Sequence, residues 1–342
     1  MIWQFLIRRL FLLLFVFFAL TCFAFSLGHL FPGDPLTNFS GISQPSDELL
    51  PALVQQYQLE QGYLQQYFAF LSRILQGDWG LSLSSQQPII TELTQVFPAT
   101  LELVAYALLI SFVVGVPLGL IAAIKAQHWS GRFISGVAMV GYSVPIFWWA
   151  LLMIMLFSIT LGWLPTSGRI SVLFEIPAST GFMLPDIMLS KQPYWQAAMI
   201  DALRHLLLPA LVLATFPTTV MIRFTRDAML GVWQQSYIKT ARAKGLSRSQ
   251  VLYRHGLRNA MMPVLRQLGL QFSTLVTLAM ITELIFSWPG IGLWLLDSIN
   301  QRNYPAIQGG LLVISTLVIM VNILMDILHT LLNPLARKQF NG

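Results

Sequence analysis

Long uncharged stretches alternate with shorter polar segments along the chain. A helix that crosses the hydrocarbon core of a membrane, about 30 Å thick, needs about 20 mostly apolar residues because each residue rises about 1.5 Å. Six stretches are predicted to be membrane spans: 10–33, 103–124, 133–168, 206–222, 267–296 and 303–325. The third is longer than one span needs, and the fourth is the shortest. The pattern predicts an all-α integral membrane protein with six transmembrane helices.

The composition supports this fold class and excludes several others. Of the 342 residues, 56% are apolar and 10% are charged, whereas a soluble domain carries about 25% charged residues. A single cysteine, Cys22, and 23 phenylalanines exclude a disulfide-bonded scaffold and an intrinsically disordered chain. The first apolar stretch exceeds the roughly 7–15 residues of a cleaved signal peptide, so we expect it to remain as a span.

The basic residues are distributed unevenly between the two sides of the membrane. Six spans place both termini on one side, together with the loops at 125–132 and 223–266, and that side holds 15 of the 20 lysines and arginines. Cytoplasmic loops carry the excess of basic residues in membrane proteins. We therefore expect both termini to be cytoplasmic, and we interpret the net charge of +6 as an orientation signal, with no nucleic-acid partner.

Two segments on the opposite side are too long to be simple turns. Segment 34–97 contains six acidic residues and one arginine, an imbalance that would favour cationic cargo by electrostatic steering. Its apolar residues between positions 49 and 75 have helical spacing, which predicts one or two helices lying at the outer face. These helices either cap the ends of the spans or contact the substrate. The second outer segment, 161–204, contains four prolines.

The cytoplasmic loop 223–266 has the clearest local pattern. Residues 228–244 are predicted to form a helix that ends at Gly245, where a left-handed cap is expected. Ser247 and Gln250 have the spacing of a capping box that starts a second helix, and this helix is expected to end before Pro263. A rigid helical hairpin of this kind suits docking against a partner.

The same loop resembles that of a known family. The stretches Tyr237-Ile-Lys-Thr-Ala-Arg-Ala-Lys-Gly-Leu-Ser247 and Arg254-His-Gly-Leu-Arg-Asn-Ala-Met-Met-Pro263 are similar to the coupling loop of bacterial binding-protein-dependent ABC permeases, in particular the dipeptide/oligopeptide/nickel branch. The general family loop begins Glu-Ala-Ala, whereas this chain has Lys-Thr-Ala from Lys239, so the acidic residue is missing. Four further segments resemble that branch in the same order along the chain: 75–82, 97–100, 142–147 and 282–292.

The resemblance covers almost the whole chain and implies the type I ABC importer permease fold, with short periplasmic helices and a cytoplasmic coupling-helix hairpin. It also implies four parts. These are the N-terminal region with the first transmembrane helix (1–33), a periplasmic segment (34–97), a five-helix permease core (98–336) with the coupling loop 223–266, and a cytoplasmic tail (337–342).

Within this branch, segments 161–169 and 270–281 look most like the B-type permeases of Sap systems, which are associated with antimicrobial-peptide uptake and resistance and with putrescine export. The resemblance implies a permease subunit that moves peptides, in particular cationic or antimicrobial ones, across the bacterial inner membrane by alternating access. Polyamine export, and di/oligopeptide or nickel uptake, stay open as alternatives. The implied partners are a second permease (Sap C-type), two ATP-binding subunits (Sap D- and F-type), a periplasmic substrate-binding protein (Sap A-type) and the lipid bilayer.

The resemblance also assigns candidate site residues. Those expected to couple to the ATPase are Lys239, Thr240, Ala241, Arg242, Ala243, Lys244, Gly245, Leu246, Ser247, Arg254 and His255. On the outer side, Glu283, Trp288 and Pro289 are predicted to belong to the translocation path or outer gate. An acid within an apolar stretch is costly and is a functional candidate by default. Glu283 is expected either to line the substrate entrance or to pair with Arg302.

The sequence offers no catalytic or metal-binding motif. It contains no phosphate-binding Gly-x4-Gly-Lys-Ser/Thr loop, no His-Glu-x-x-His and no cysteine cluster. We therefore expect this chain not to be an enzyme and to bind no cofactor, with ATP and Mg²⁺ on the partner ATPase chains. A stand-alone carrier would need broken helices or buried acids near the midplane, and a lipid-binding scaffold has no need of a Gly245–Ser247 joint.

Overall fold

The computed structural model describes residues 2–247 and 250–332, which form helices joined by loops. Residues Ile154–Thr160 and Val251–Leu257 form wider π turns, and the only β pairing in the described ranges is an isolated bridge between Leu81 and Pro88. The predicted tail 337–342 lies outside the described residues. The α-helices are α1 (Ile2–Leu30), α2 (Pro35–Ser40), α3 (Leu50–Tyr57), α4 (Tyr63–Leu75), α5 (Ile89–Ile124), α6 (Trp129–Ser143), α7 (Ile146–Met153), α8 (Met183–Leu189), α9 (Trp195–Trp233), α10 (Ser236–Ala243), α11 (Arg258–Phe286), α12 (Ile291–Asn300) and α13 (Tyr304–Leu332).

The described helices account for the six predicted spans. Five segments are long and apolar enough to cross a membrane: Ile7–Leu30, Ile89–Ile124, Trp195–Trp233, Val251–Phe286 and Tyr304–Met325. The sixth is the pair formed by α6 and the helical segment Ile146–Thr160, which pass the same test together but are bent by 105°. With this pair counted as one span, the predicted all-α membrane fold is confirmed.

The predicted span 133–168 is therefore not one straight helix. Pro145 has no N–H and disfavours helical backbone in the residue before it, and Val144 is extended, with φ −79° and ψ 125°. As a result α6 ends at Ser143 and a new helix begins at Ile146. The chain after Thr160 is irregular as far as α8, which shortens the predicted span at its outer end.

Two other predicted spans have different bounds in the structure. Helix α9 has 39 residues, far more than the apolar stretch 206–222, because polar residues continue the helix at both ends. The predicted stretch 267–296 instead divides at Phe286. There Ser287 adopts a left-handed conformation (φ 46°, ψ 41°) that caps α11, and after a short turn α12 begins at Ile291.

Helix α9 packs along α5 and also contacts α6, α7, α8 and α11. Gly115 and Gly119 of α5 let the two backbones approach closely: a Cβ atom on Gly119 would lie 2.7 Å from the carbonyl oxygen of Ile222. Small residues at such contacts favour helix association in membranes, where packing rather than water exclusion holds helices together. The central core cluster consists of Ala99, Leu103, Val104, Ala107, Leu206, Ala210, Leu213, Ala214, Leu275, Val276, Ala279 and Trp288.

The outer segment between positions 49 and 75 contains two helices, α3 and α4, as predicted. Both pack on α1 and α2 through an aromatic cluster that includes Phe25, Phe39, Tyr57 and Tyr67. The Arg73 guanidinium lies 3.5 Å above the Tyr57 ring centroid. Burial raises the pKa of Tyr57 to about 12, against the opposing effect of Arg73, so the phenol stays neutral at physiological pH. The segment covers the outer end of α1.

Replacing Gly119 with alanine is expected to destabilise the bundle by about 1–3 kcal/mol, because the added methyl group overlaps the α9 backbone. Gly231→Ala is the matched control, since a Cβ at Gly231 meets no atom of another part of the chain within 4 Å and alanine favours a helix by about 1 kcal/mol over glycine. Thermal unfolding in detergent, followed by tryptophan fluorescence, compares the two. Equal midpoints would contradict the close α5–α9 contact.

Candidate functional site

The end of the bundle that carries the loop 223–266 is a joint between three helical pieces. The predicted single helix 228–244 is wrong, because α9 ends at Trp233 and α10 begins at Ser236. The break turns the short helix back on its neighbours, so that Ile238 and Ala241 are buried against Val251. Burying this apolar face is more favourable than extending α9 as a straight helix, which would leave the same face in water.

The turn after α10 has the predicted geometry. Gly245 is in the left-handed region at φ 82°, and the Leu246 N–H donates to the Ala241 carbonyl at 3.4 Å, the long-range bond of a Schellman motif. The Ser247 N–H donates to Gln250 Oε1 at 2.9 Å, and the Gln250 N–H donates to Ser247 Oγ at 3.3 Å. Both the glycine cap and the reciprocal capping box are confirmed.

The second helix does not end before Pro263, contrary to the prediction. The π turns Val251–Leu257 continue directly into α11, and Pro263 lies inside that helix. Ala260 and Val264, which flank the proline along the helix, are buried against apolar residues of neighbouring helices, and this packing favours a continuous helix despite the proline. The joint is therefore joined to the outer face by one helical rod.

The predicted coupling residues divide between an outward and an inward face. Ala241 is buried, and Leu246 and His255 are partly buried; the side chain of Arg242 lies outside the described residues. The exposed members are Lys239, Thr240, Ala243, Lys244, Gly245, Ser247 and Arg254. The structure thus brings the predicted set together around one turn, with its basic side chains outward.

At the opposite end of the same rod, Glu283 is fully buried. Its carboxylate accepts hydrogen bonds from Thr100 Oγ1 at 2.6 Å, from the Gly292 N–H at 2.7 Å and from the Leu293 N–H at 3.3 Å. A carboxylate at this position satisfies the free N–H groups at the start of α12 and complements its dipole. Glu283 therefore neither pairs with Arg302, which is exposed, nor reaches solvent at a substrate entrance.

The turn between α11 and α12 is anchored to α5. Trp288 is buried, and its indole Nε1–H donates to the Ala99 carbonyl at 2.9 Å. The Ile291 N–H donates to Thr100 Oγ1 at 2.9 Å. Of the three residues predicted for the outer gate, only Pro289 is exposed.

A buried ion pair lies beside this turn and was not predicted. Glu102 of α5 accepts a hydrogen bond from the Arg169 guanidinium, and the two side chains are 3% and 10% exposed. Glu102 also accepts from the N–H groups of Met183 and Leu184 at 3.3 Å, at the start of α8. The Arg169 guanidinium lies 5.6 Å from the Trp288 ring centroid. Glu102 and Arg169 directly flank the predicted spans 103–124 and 133–168, and nothing in their sequence positions indicates that they pair.

A cavity of about 710 Å³ lies between α5, α6, α7 and α9, next to the 105° bend. Its polar groups are three threonines, Thr215, Thr218 and Thr219, and the indole of Trp149, which donates to Thr215 Oγ1 at 3.1 Å. No charged side chain of the described residues lines it. The cavity accepts apolar groups and provides no counter-charge.

Comparison with known proteins identifies the family of this chain. The family model described as binding-protein-dependent transport system inner membrane component matches residues 115–338. The chain belongs to this family. The match begins within α5 and includes the Gly245 joint and α11. The family and the apolar helices together identify a multi-pass component of the inner membrane.

Full-length relatives carry names from several transport systems. The chain is 46% identical to the di/tripeptide transport system permease protein DppB of Pseudomonas aeruginosa strain UCBPP-PA14, covering 98% of this chain and 99% of that protein. It is 43% identical to the peptide transport system permease protein SapB of Salmonella typhimurium, with 98% of each chain covered. It is 42% identical to the putrescine export system permease protein SapB of Escherichia coli K12, again covering 98% of each chain.

A solved structure supports the fold. The inward-facing MetNI methionine ABC transporter matches with a TM-score of 0.50 over 69% of this chain and 94% of that chain, at 16% sequence identity. A similarity at this identity concerns the fold alone. It agrees with the predicted type I importer permease fold.

Glu102→Gln is expected to destabilise the chain by about 3–5 kcal/mol, because it leaves the buried Arg169 without a counter-charge. Asp78→Asn is the matched control: it breaks a second arginine–carboxylate pair, with Arg73, in which the acid is 45% exposed, and such pairs contribute about 0–1 kcal/mol. Unfolding in detergent measures both. The double variant Glu102→Gln/Arg169→Met should recover part of the loss, and a fully additive double variant would contradict the pairing.

Proposed function

We propose that the chain is the permease subunit of an ATP-driven transporter that carries peptides across the bacterial inner membrane by alternating access. The observation that supports this most directly is the exposed joint at Gly245 in a member of the binding-protein-dependent family. A cap and a capping box fix the joint, and it continues into the helical segment Val251–Phe286.

The proposed mechanism uses the stiffness of that segment. Its 36 residues correspond to a rod of about 54 Å. When ATP-binding subunits close on ATP, a displacement of α10 would be transmitted along the rod to Glu283 and to the α12 turn that it caps. Opening and closing of the two membrane faces would then be coupled to ATP hydrolysis as a change between two packed states.

The proposed partners follow from the family. They are a periplasmic substrate-binding protein (Sap A-type), a second permease (Sap C-type) and two ATP-binding subunits (Sap D- and F-type). ATP and Mg²⁺ would be held by the ATP-binding subunits. Both termini of this chain would face the cytoplasm, as the excess of basic residues on that side indicates.

The proposed substrates are peptides, because two of the three relatives described above are named for di/tripeptide or peptide transport. Among peptides we favour cationic ones, since the exposed acids Asp47, Glu48 and Glu60 lie on the outer segment and would attract positive charge. Putrescine, for which the Escherichia coli K12 relative is named, is the second candidate and is also cationic.

Gly245→Val is expected to abolish ATP-dependent uptake of a labelled dipeptide while leaving membrane insertion normal, because a β-branched residue is strained at φ 82°. Gly231→Val is the matched control. A Cβ at either glycine has open space, so only the left-handed backbone distinguishes them. Uptake into cells that produce each variant as the sole copy measures the effect. Normal uptake by the Gly245 variant would exclude a coupling role for the joint.

Neutralising Asp47, Glu48 and Glu60 to the corresponding amides is expected to slow uptake of a lysine-containing peptide several-fold at low salt. Steering acts through exposed charges and is screened within about 10 Å at 0.1 M salt. An alanine-only peptide of the same length is the internal control and should be taken up at the same rate by both proteins. If the ratio of the lysine-peptide rate to the alanine-peptide rate were the same in wild type and in the variant, electrostatic selection by this segment would be excluded.

A further inference from the structure

We propose that the coupling joint docks into an acidic cleft of its ATP-binding partner, with Lys239 and Lys244 paired to carboxylates there. The inference rests on the proposed function and identifies the chemistry of the docking surface.

The charge of the cytoplasmic segment is of one sign. Between Asp227 and Glu283 the chain contains no acidic residue. It contains seven basic ones in the same interval: Lys239, Arg242, Lys244, Arg248, Arg254, Arg258 and Arg266. No acid of this segment is therefore available to neutralise the joint, so its charges can pair with the carboxylates of a partner.

The structure directs these charges outward. Lys239, Lys244, Arg254 and Arg258 are exposed, and none of them takes part in an ion pair with another described residue. The opposite face of α10 is committed to the core, because Ile238 is 0% exposed. The cap at Gly245 fixes the helix, so the lysines cannot turn inward.

The joint stands away from the lipid surface. The apolar stretch of α9 ends at Ile222, and 11 further helical residues to Trp233 extend the helix about 16 Å before α10 begins. The headgroup layer adds only about 5–8 Å to each side of the hydrocarbon core, and charges are screened within about 8 Å at physiological salt. An acidic protein surface, rather than anionic lipid, is therefore the counterpart of α10.

The joint also offers an apolar contact beside its charges. A groove of about 320 Å³ is lined by Leu246, Gln250, Tyr253 and Arg254, and Tyr253 is 69% exposed. A large aromatic side chain next to an arginine is a common anchor at protein interfaces. The matching partner surface would combine carboxylates at its rim with an apolar slot for this tyrosine.

The test uses the complex purified through a tag on this chain from its native membrane in mild detergent. A carbodiimide joins a lysine amine to a carboxylate only at ion-pair distance, and mass spectrometry identifies the linked peptides. We expect Lys239 or Lys244 to be linked to an aspartate or glutamate of an ATP-binding subunit. Lys239→Arg/Lys244→Arg should keep the subunit bound but lose the link, because arginine keeps the charge without the reactive amine.

Charge reversal tests whether the two lysines contribute to binding of the ATP-binding subunit. Lys239→Glu/Lys244→Glu should reduce recovery of the ATP-binding subunit at least tenfold. Lys125→Glu, an exposed lysine in the other cytoplasmic loop, is the matched control and should not reduce it. Undiminished recovery with the double glutamate variant would overturn the inference, and so would loss of the subunit from the double arginine variant.

Two further outcomes separate the alternatives. If the wild-type chain retains no ATP-binding subunit, the proposed function itself fails. If the subunit is retained equally by wild type and by the double glutamate variant, but only wild type binds phosphatidylglycerol vesicles, the lysines contact lipid and the inference is overturned.

Discussion

The free N–H groups at the starts of buried helices impose the constraint on which the outer half of this protein depends. Where the packing of the helices limits access to water, protein side chains accept the hydrogen bonds of these groups. Glu283 does so for α12, and Glu102 does so for α8. Each carboxylate also binds a group from a third element, Thr100 in one case and Arg169 in the other. Two acids thereby hold α5, α8, α11, α12 and the loop before α8 in one arrangement.

At the end of the bundle that carries the Gly245 joint, the helix caps are exposed. There the cap consists of the backbone turn at Gly245 and the pair Ser247 and Gln250, which are exposed. A local cap of this kind needs no contact with other helices, so the surface around it can bind a partner. The buried carboxylates, in contrast, are enclosed by the helices that they connect. The helical segment Val251–Phe286 runs from the side of the Gly245 joint to the turn that Glu283 caps.

Charged residues in this chain serve three purposes that composition alone does not separate. Basic residues near the ends of the spans orient the chain in the membrane. The buried pair Glu102–Arg169 fixes an outer loop to a span. The exposed lysines at 239 and 244 form no ion pair with another described residue. Burial and the identity of the nearest opposite charge distinguish the three cases.

The apolar stretches and the Gly245 joint were predictable because both depend on neighbours in the sequence. A span needs only a run of about 20 apolar residues, and a capping box links two residues that are three positions apart. The division of α9 from α10 and the outer polar contacts were decided by tertiary structure. Glu283 meets a hydroxyl 183 positions away, and Glu102 meets a guanidinium 67 positions away. Such partners are selected by how the helices pack, which no local pattern of residues encodes.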